Sequence, residues 1–191
     1  MSYSGGVNPD DPRARRTRAA LRDAALALAA DRPPASVTIA AVAAAAGVNR
    51  ATVYQHYPDR DALLADAMGD AVTAVVDQAA LCPLRAPGEV PPEPLVRLFE
   101  QIAARRAHYA RLLSADGSAR FAAELRDRLA AALRDRFAAG QRPAVGPQVP
   151  AGVHAAWLAG ALVGVIADAS AATSPVAPER LAAACWTLIT T

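Results

Sequence analysis

The sequence predicts an all-α protein: an N-terminal three-helix helix-turn-helix head followed by a C-terminal helical bundle, about nine helices in all. Three observations predict it. Apolar residues recur three and four apart in segment after segment, which is the helical period. Alanine is the dominant residue while aromatics make up only 5% of the chain, a composition suited to closely packed helices. Third, residues 38–57 read TIAAVAAAAGVNRATVYQHY, two short periodic segments joined through a single glycine.

The chain has 191 residues, room for one large or two small domains, and 53% of them are hydrophobic, enough for a real core. The formal net charge is only +2, so bulk charge does not announce a nucleic-acid partner, although every basic side chain is arginine. Residues 1–12 are rich in Gly, Ser, Asn, Asp and Pro, read as a flexible arm, and lack the apolar centre of a secretory signal. Cys82 and Cys185 stand far apart, which favours a reduced cytoplasmic setting with inert thiols over a disulfide. His56, His108 and His154 have no metal-ligand spacing, and neither a Gly-rich phosphate loop nor a nucleophile motif is present. The expectation is therefore no enzyme, with no catalytic residue, no metal site and no cofactor.

Helix 1 is expected from Arg13 to Ala30, with Leu21, Ala24, Ala25 and Leu28 facing inward. Its arginines crowd the N-terminal end, against the helix dipole, where a nearby phosphate would relieve them. Pro33-Pro34 then break the chain. Thr38 is suited to cap a second helix, with Ile39, Val42 and Ala43 on one face. Gly47 is placed to end it with positive φ, Val48 plugs the corner, and Asn49 caps a short third helix through Tyr57. Two helices joined this way form a helix-turn-helix, whose second helix enters the DNA major groove. On that helix Arg50 suits guanine edges and Gln55 suits adenine edges, with Thr52 beside them. Thr38, Tyr54, His56 and Arg60 are better placed on phosphates. The competing interpretation is an ordinary helical hairpin with a solvated polar face.

In this stretch the chain resembles the TetR family of bacterial transcriptional regulators. Members carry a threonine followed by IA, then AGV, a cap residue, a T-x-Y-x-H-F/Y run, a basic residue and a leucine. Here the matching residues are Thr38, Ile39, Ala40, Ala46, Gly47, Val48, Asn49, Thr52, Tyr54, His56, Tyr57, Arg60 and Leu63. The resemblance covers residues 13–68. It departs at Ala51, where many members have glycine, at Ala29, where a core phenylalanine is common, and at Asp31-Arg32-Pro33-Pro34, which replaces a glycine after helix 1.

Downstream, Asp59 to Ala80 reads as a long fourth helix with Leu64, Met68, Val72, Val75, Val76 and Ala79 at helical spacing. Five prolines between Cys82 and Pro94 mark a loop. Helices are expected from Leu95 to Arg106, Ala107 to Ala115 and Ala119 to Ala139, the last capped by Ser118 and stopped by Gly140. Residues 151–167 read AGVHAAWLAGALVGVIA, with Gly152, Ala156, Gly160 and Gly164 every four residues, so that one face is nearly bare. A membrane span is rejected because alanine and glycine supply little transfer energy, His154 interrupts the run and Asp168 closes it. A last helix starts near Pro178, with Leu181, Ala184, Cys185, Leu188 and Ile189 as its stripe and Trp186 off it.

The resemblance implies a division into residues 1–12 as arm, 13–58 as DNA-binding domain and 59–191 as ligand-binding and dimerisation domain. It implies a homodimer built by pairing the last two helices with their copies, with Ala156, Gly160, Gly164, Leu181, Cys185 and Leu188 at the contact. It also implies a ligand-responsive regulator, expected to be a repressor, that binds a palindromic operator in double-stranded DNA and is released by a small-molecule effector. Candidate pocket residues on the inward stripes are Phe99, Ile102, Tyr109, Leu112, Phe121 and Trp157, with His108 or His154 as a polar handle. Their apolar character points to an apolar or aromatic effector. The alternative is a protein-interaction module that kept the helix-turn-helix fold without binding DNA.

Overall fold

A computed structural model describes residues 11–33, 36–85, 90–115, 117, 119–144 and 148–190. Among these lie nine α-helices and no strand: α1 (Pro12–Asp31), α2 (Ile39–Ala45), α3 (Arg50–His56), α4 (Arg60–Ala80), α5 (Glu93–Ala104), α6 (Arg106–Leu112), α7 (Ala119–Ala138), α8 (Ala151–Ala171) and α9 (Pro178–Thr190). The expected arm, apart from Asp11 and Pro12, and the expected cap Ser118 fall outside the described residues.

Local chemistry sets the helix ends. Asp11 Oδ1 accepts from Arg13 N at 2.9 Å and Pro12 takes the first helical position, so α1 opens one residue earlier than Arg13. The same carboxylate offsets part of the cost of arginines at a positive helix end. Thr38 Oγ1 accepts from Ala41 N at 3.2 Å, and Asn49 Oδ1 accepts from Thr52 N at 2.7 Å. Between them Gly47 adopts φ +68°, a conformation that costs glycine nothing. Asp59 Oδ1 accepts from Ala62 N at 2.7 Å at the start of α4.

α8 runs to Ala171, past the exposed Asp168. The last helix departs from the sequence expectation. On α9, Trp186 faces inward, only 2% exposed, while Leu188 is 69% exposed. The inward face of α9 is thus centred on Ala182, Cys185 and Trp186.

The chain divides into two compact units, residues 1–70 and 71–191. In the first unit, α2 packs on both α1 and α3. Its core holds Leu21, Ala25, Ala29, Val37, Val42, Val53, Leu63 and Ala67, all without measurable exposure. Ala29 fills its place without a phenylalanine. The first part of α4 belongs to this unit because Asp66 and Asp70 are held by Arg18 and Arg22 of α1. In the second unit, α8 packs along α7 and α6, and α9 along α5. Phe99, Phe121, Leu125, Leu129, Ile166 and Trp186 fill its centre. By length and composition α8 is apolar enough to cross a membrane, yet one side of it is buried in this packing through Ala155, Leu158, Ala159 and Ile166.

Candidate nucleic-acid interface

The helix α3 has seven residues and one inward anchor, Val53, which is fully buried. Arg50, Tyr54 and Gln55 are exposed, Tyr54 at 51%. Thr52 is tied to its cap: its hydroxyl contacts Asn49 Oδ1 at 3.0 Å, in addition to the backbone bond. Thr38 is exposed, and since its oxygen accepts the cap bond, its O–H remains a donor. His56 is half-buried; burial, and then the charge of Arg18, lower its pKa, so the ring is neutral near pH 7. Arg60 pairs with its neighbour Asp61 at 2.7 Å, so a phosphate at that position has to compete with a carboxylate.

Behind α3 lies a polar clamp that the sequence pass missed. Tyr57, the residue ending α3, is 3% exposed, and its hydroxyl donates to Asp66 Oδ2 at 2.6 Å. Arg18 Nε donates to the same carboxylate oxygen at 3.0 Å and to the Tyr57 hydroxyl at 3.1 Å, with its guanidinium 5.0 Å from the ring centroid. Arg22 approaches Asp66 at 3.8 Å and Asp70 at 3.2 Å. Burial would raise the Asp66 carboxyl, but the hydrogen bonds from Tyr57 and Arg18 and the charges of Arg18 and Arg22 outweigh it, and the pKa falls below the usual range. Burial, followed by the bond to Asp66, pushes the Tyr57 phenol up. A usable signal was present: Arg18 and Arg22 are four apart, as are Asp66 and Asp70, two matched helical pairs. Two of the five arginines of α1 are therefore held by acids, while Arg13, Arg15 and Arg16 lie exposed toward its start.

The second unit holds the other candidates. Phe99, Ile102, Tyr109, Leu112 and Phe121 are closed into the packing, each at most 3% exposed. Tyr109 also donates to Ala71 O at 3.4 Å. His154 is buried, and its Nδ1 accepts from Arg142 Nε at 3.1 Å, which puts the imidazole proton on Nε2. Burial and the Arg142 charge lower its pKa. Trp157, by contrast, is 57% exposed and lines an apolar cavity of about 150 Å³ among α4, α5, α7, α8 and α9. The other pocket candidates are not among its lining residues. Of the contact candidates, Ala156, Gly160, Gly164 and Leu188 are exposed, Leu181 is half-buried and Cys185 is buried. A Cβ added at Gly160 or Gly164 would meet nothing within 4 Å. Gly164, Leu181 and Leu188 border a shallow groove between α8 and α9, which shares Ala161, Val165, Cys185 and Leu188 with the cavity.

Comparison with known proteins agrees with this geometry. Residues 21–67 match the family model described as bacterial regulatory proteins, tetR family. The HTH-type transcriptional repressor LfrR of Mycolicibacterium smegmatis is 51% identical over 49 residues, which is 26% of this chain and 25% of the repressor's own length. Among solved structures, a TetR transcriptional regulator from Streptococcus agalactiae superimposes with a TM-score of 0.69 at 19% identity, covering 95% of this chain and 97% of that one. The fatty acid degradation regulator FadR from Bacillus halodurans gives 0.68 at 17% identity, covering 91% and 94%. Those two likenesses establish a shared fold across both units, whereas the sequence match lies on the head. The α1–α4 head, with the Thr38 and Asn49 caps, the Gly47 turn and the outward α3, is a helix-turn-helix of the kind found in bacterial regulatory proteins of the tetR family, whose model matches residues 21–67.

Proposed function

We propose that the protein is a dimeric, ligand-responsive transcriptional regulator, acting as a repressor, that binds a palindromic operator and leaves it when a small apolar effector binds. The observation that carries this is α3 itself: a short helix capped by Asn49, anchored by Val53, with Arg50, Tyr54 and Gln55 turned to solvent. Arg50 and Gln55 read base edges, while Thr38, Tyr54, His56 and the exposed arginines of α1 set the register on phosphates. Neutral His56 serves there as a hydrogen-bond donor rather than a cation. One α3 touches few base pairs, so sequence preference requires two copies on a dyad, with half-sites spaced by the protein. The bare face of α8 and the exposed Leu188 of α9 support that pairing.

For the effector response, α4 is a single helix containing residues of both units, from Leu63 and Asp66 to Val72 and Val75. An effector that prefers one setting of the second unit biases α4, and the coupling, typically about 1–3 kcal/mol, is reciprocal between effector and DNA. The test is a binding-site selection with purified protein, followed by titration of the selected duplex at several salt concentrations. A palindrome bound with a steep salt dependence is expected. A protein that selects no sequence, or whose binding ignores salt, would sink the proposal.

A further inference from the structure

The second unit brings four rare residues to one place. The chain contains two tryptophans and two cysteines, and Trp157, Trp186, Cys82 and Cys185 all line the 150 Å³ cavity. The remaining wall is aliphatic, including Leu84, Leu98 and Leu162, and among the described residues no charged side chain, hydroxyl or carboxamide borders it. A charged or strongly hydrogen-bonding guest would lose its hydration here and find no partner. A neutral hydrocarbon would lose nothing of the kind. A cavity of about 150 Å³ with aliphatic and aromatic walls stays dry and takes a molecule of benzene's size. Trp157, at 57% exposure, puts the mouth of the cavity at the surface of α8. Both thiols are raised by burial, Cys82 to about 11, as expected of sulfurs in an apolar wall.

From this placement we infer that the cavity is a binding site for a small uncharged hydrocarbon, a single aromatic ring or a short alkyl chain, and that it excludes ionised ligands of the same size. The inference deepens the effector part of the proposed function and rests on it for regulatory meaning, although not for binding. It also moves the ligand away from Phe99, Tyr109 and Phe121, which are closed in the core.

Both tryptophans border the site, so intrinsic fluorescence of the full-length protein reports on it directly. Toluene is the probe and benzoate its charged counterpart. Toluene is expected to give a saturable change and to slow alkylation of Cys82 and Cys185 by N-ethylmaleimide, with benzoate at least about tenfold weaker in both assays. Filling the cavity from α4 with Ala79→Leu, or from α7 with Leu133→Phe, is expected to abolish the toluene response while the thermal midpoint holds or rises. Equal responses to toluene and benzoate, or no saturable response from folded protein, would overturn the site, as would a toluene response that survives in both filled variants. None of these readings involves DNA, so failure of operator binding leaves the site standing. A toluene-binding protein whose operator affinity toluene does not move would instead overturn the effector role.

Discussion

The two units use some of their arginines differently. In the head, Arg18 and Arg22 reach carboxylates and lock α1 to α4 and to the end of α3. In the second unit Arg97 and Arg126 pair with acids of their own helices, while other arginines reach backbone carbonyls. Arg106 donates to Ser170 O and Ala172 O at the end of α8, Arg136 to Ala79 O and Cys82 O, and Arg142 to Val149 O. The head is filled and laced by charge, which ties the end of α3 to α1 and α4. The second unit ties off its helix ends but leaves a void among five helices. On the proposed function, a DNA-reading head and an effector-binding unit call for such different interiors.

Breaking the packing of the second unit has the largest expected effect. Phe121 is 1% exposed and meets Tyr109 ring to ring at 6.4 Å, so Phe121→Ala should cost about 3–5 kcal/mol in denaturant unfolding followed by tryptophan fluorescence. A loss under 1 kcal/mol would mean that the voided unit tolerates cavities generally. Next comes Gly160→Leu. The site is open in one chain, so the protomer should fold normally, while overfilling across a dyad costs about 1–3 kcal/mol from each copy. On the proposed pairing, sedimentation should show a dimeric parent and a monomeric variant, and an intact variant dimer would remove α8 from the contact. Arg50→Ala, on the exposed face of α3, should, on the proposed function, weaken discrimination by about 1–3 kcal/mol at one base position per half-site. An unchanged selected motif would assign Arg50 to solvent.

The smallest effect belongs to the clamp. Tyr57→Phe removes one bond to an ionised carboxylate; partial exposure of Asp66 reduces this to about 1 kcal/mol. Its pH signature is more specific than its size. Asp66 is depressed in the folded head, so its contribution is complete above about pH 3.9 and is lost as pH falls through the lowered value. His56 and His154 are lowered too, so both units weaken as pH drops below about 6.5. The head should then show a further acid loss that Asp66→Asn flattens, measured by hydrogen exchange of the α3 amides. Equal acid profiles for parent and variant would deny the clamp its role.

Much of the head was legible because its instructions are local. Thr38 and Asn49 cap within three residues, and Gly47 sets the turn by itself. Helix periods in the second unit were equally legible. What they face was not. Trp186 was placed off the α9 stripe because the aliphatic spacing defined that stripe, whereas in the fold the largest side chain turns inward and Leu188 turns out. The convergence of Cys82 with Cys185, or of Trp157 with Trp186, depends on how α8 and α9 settle against their neighbours, and no spacing encodes it. Phe99 and Phe121 illustrate the same limit: pocket walls and core fillers are the same residue types, and only packing separates them.

Ala161, Val165, Cys185 and Leu188 border the cavity on one side and the α8–α9 groove on the other. With a second chain seated in that groove, any guest that pushes these walls outward also pushes on the seam between copies. Sensitivity to the guest then falls as abundance rises: a cell holding few copies would see pairs come apart on exposure, and one holding many would need a larger dose for the same response.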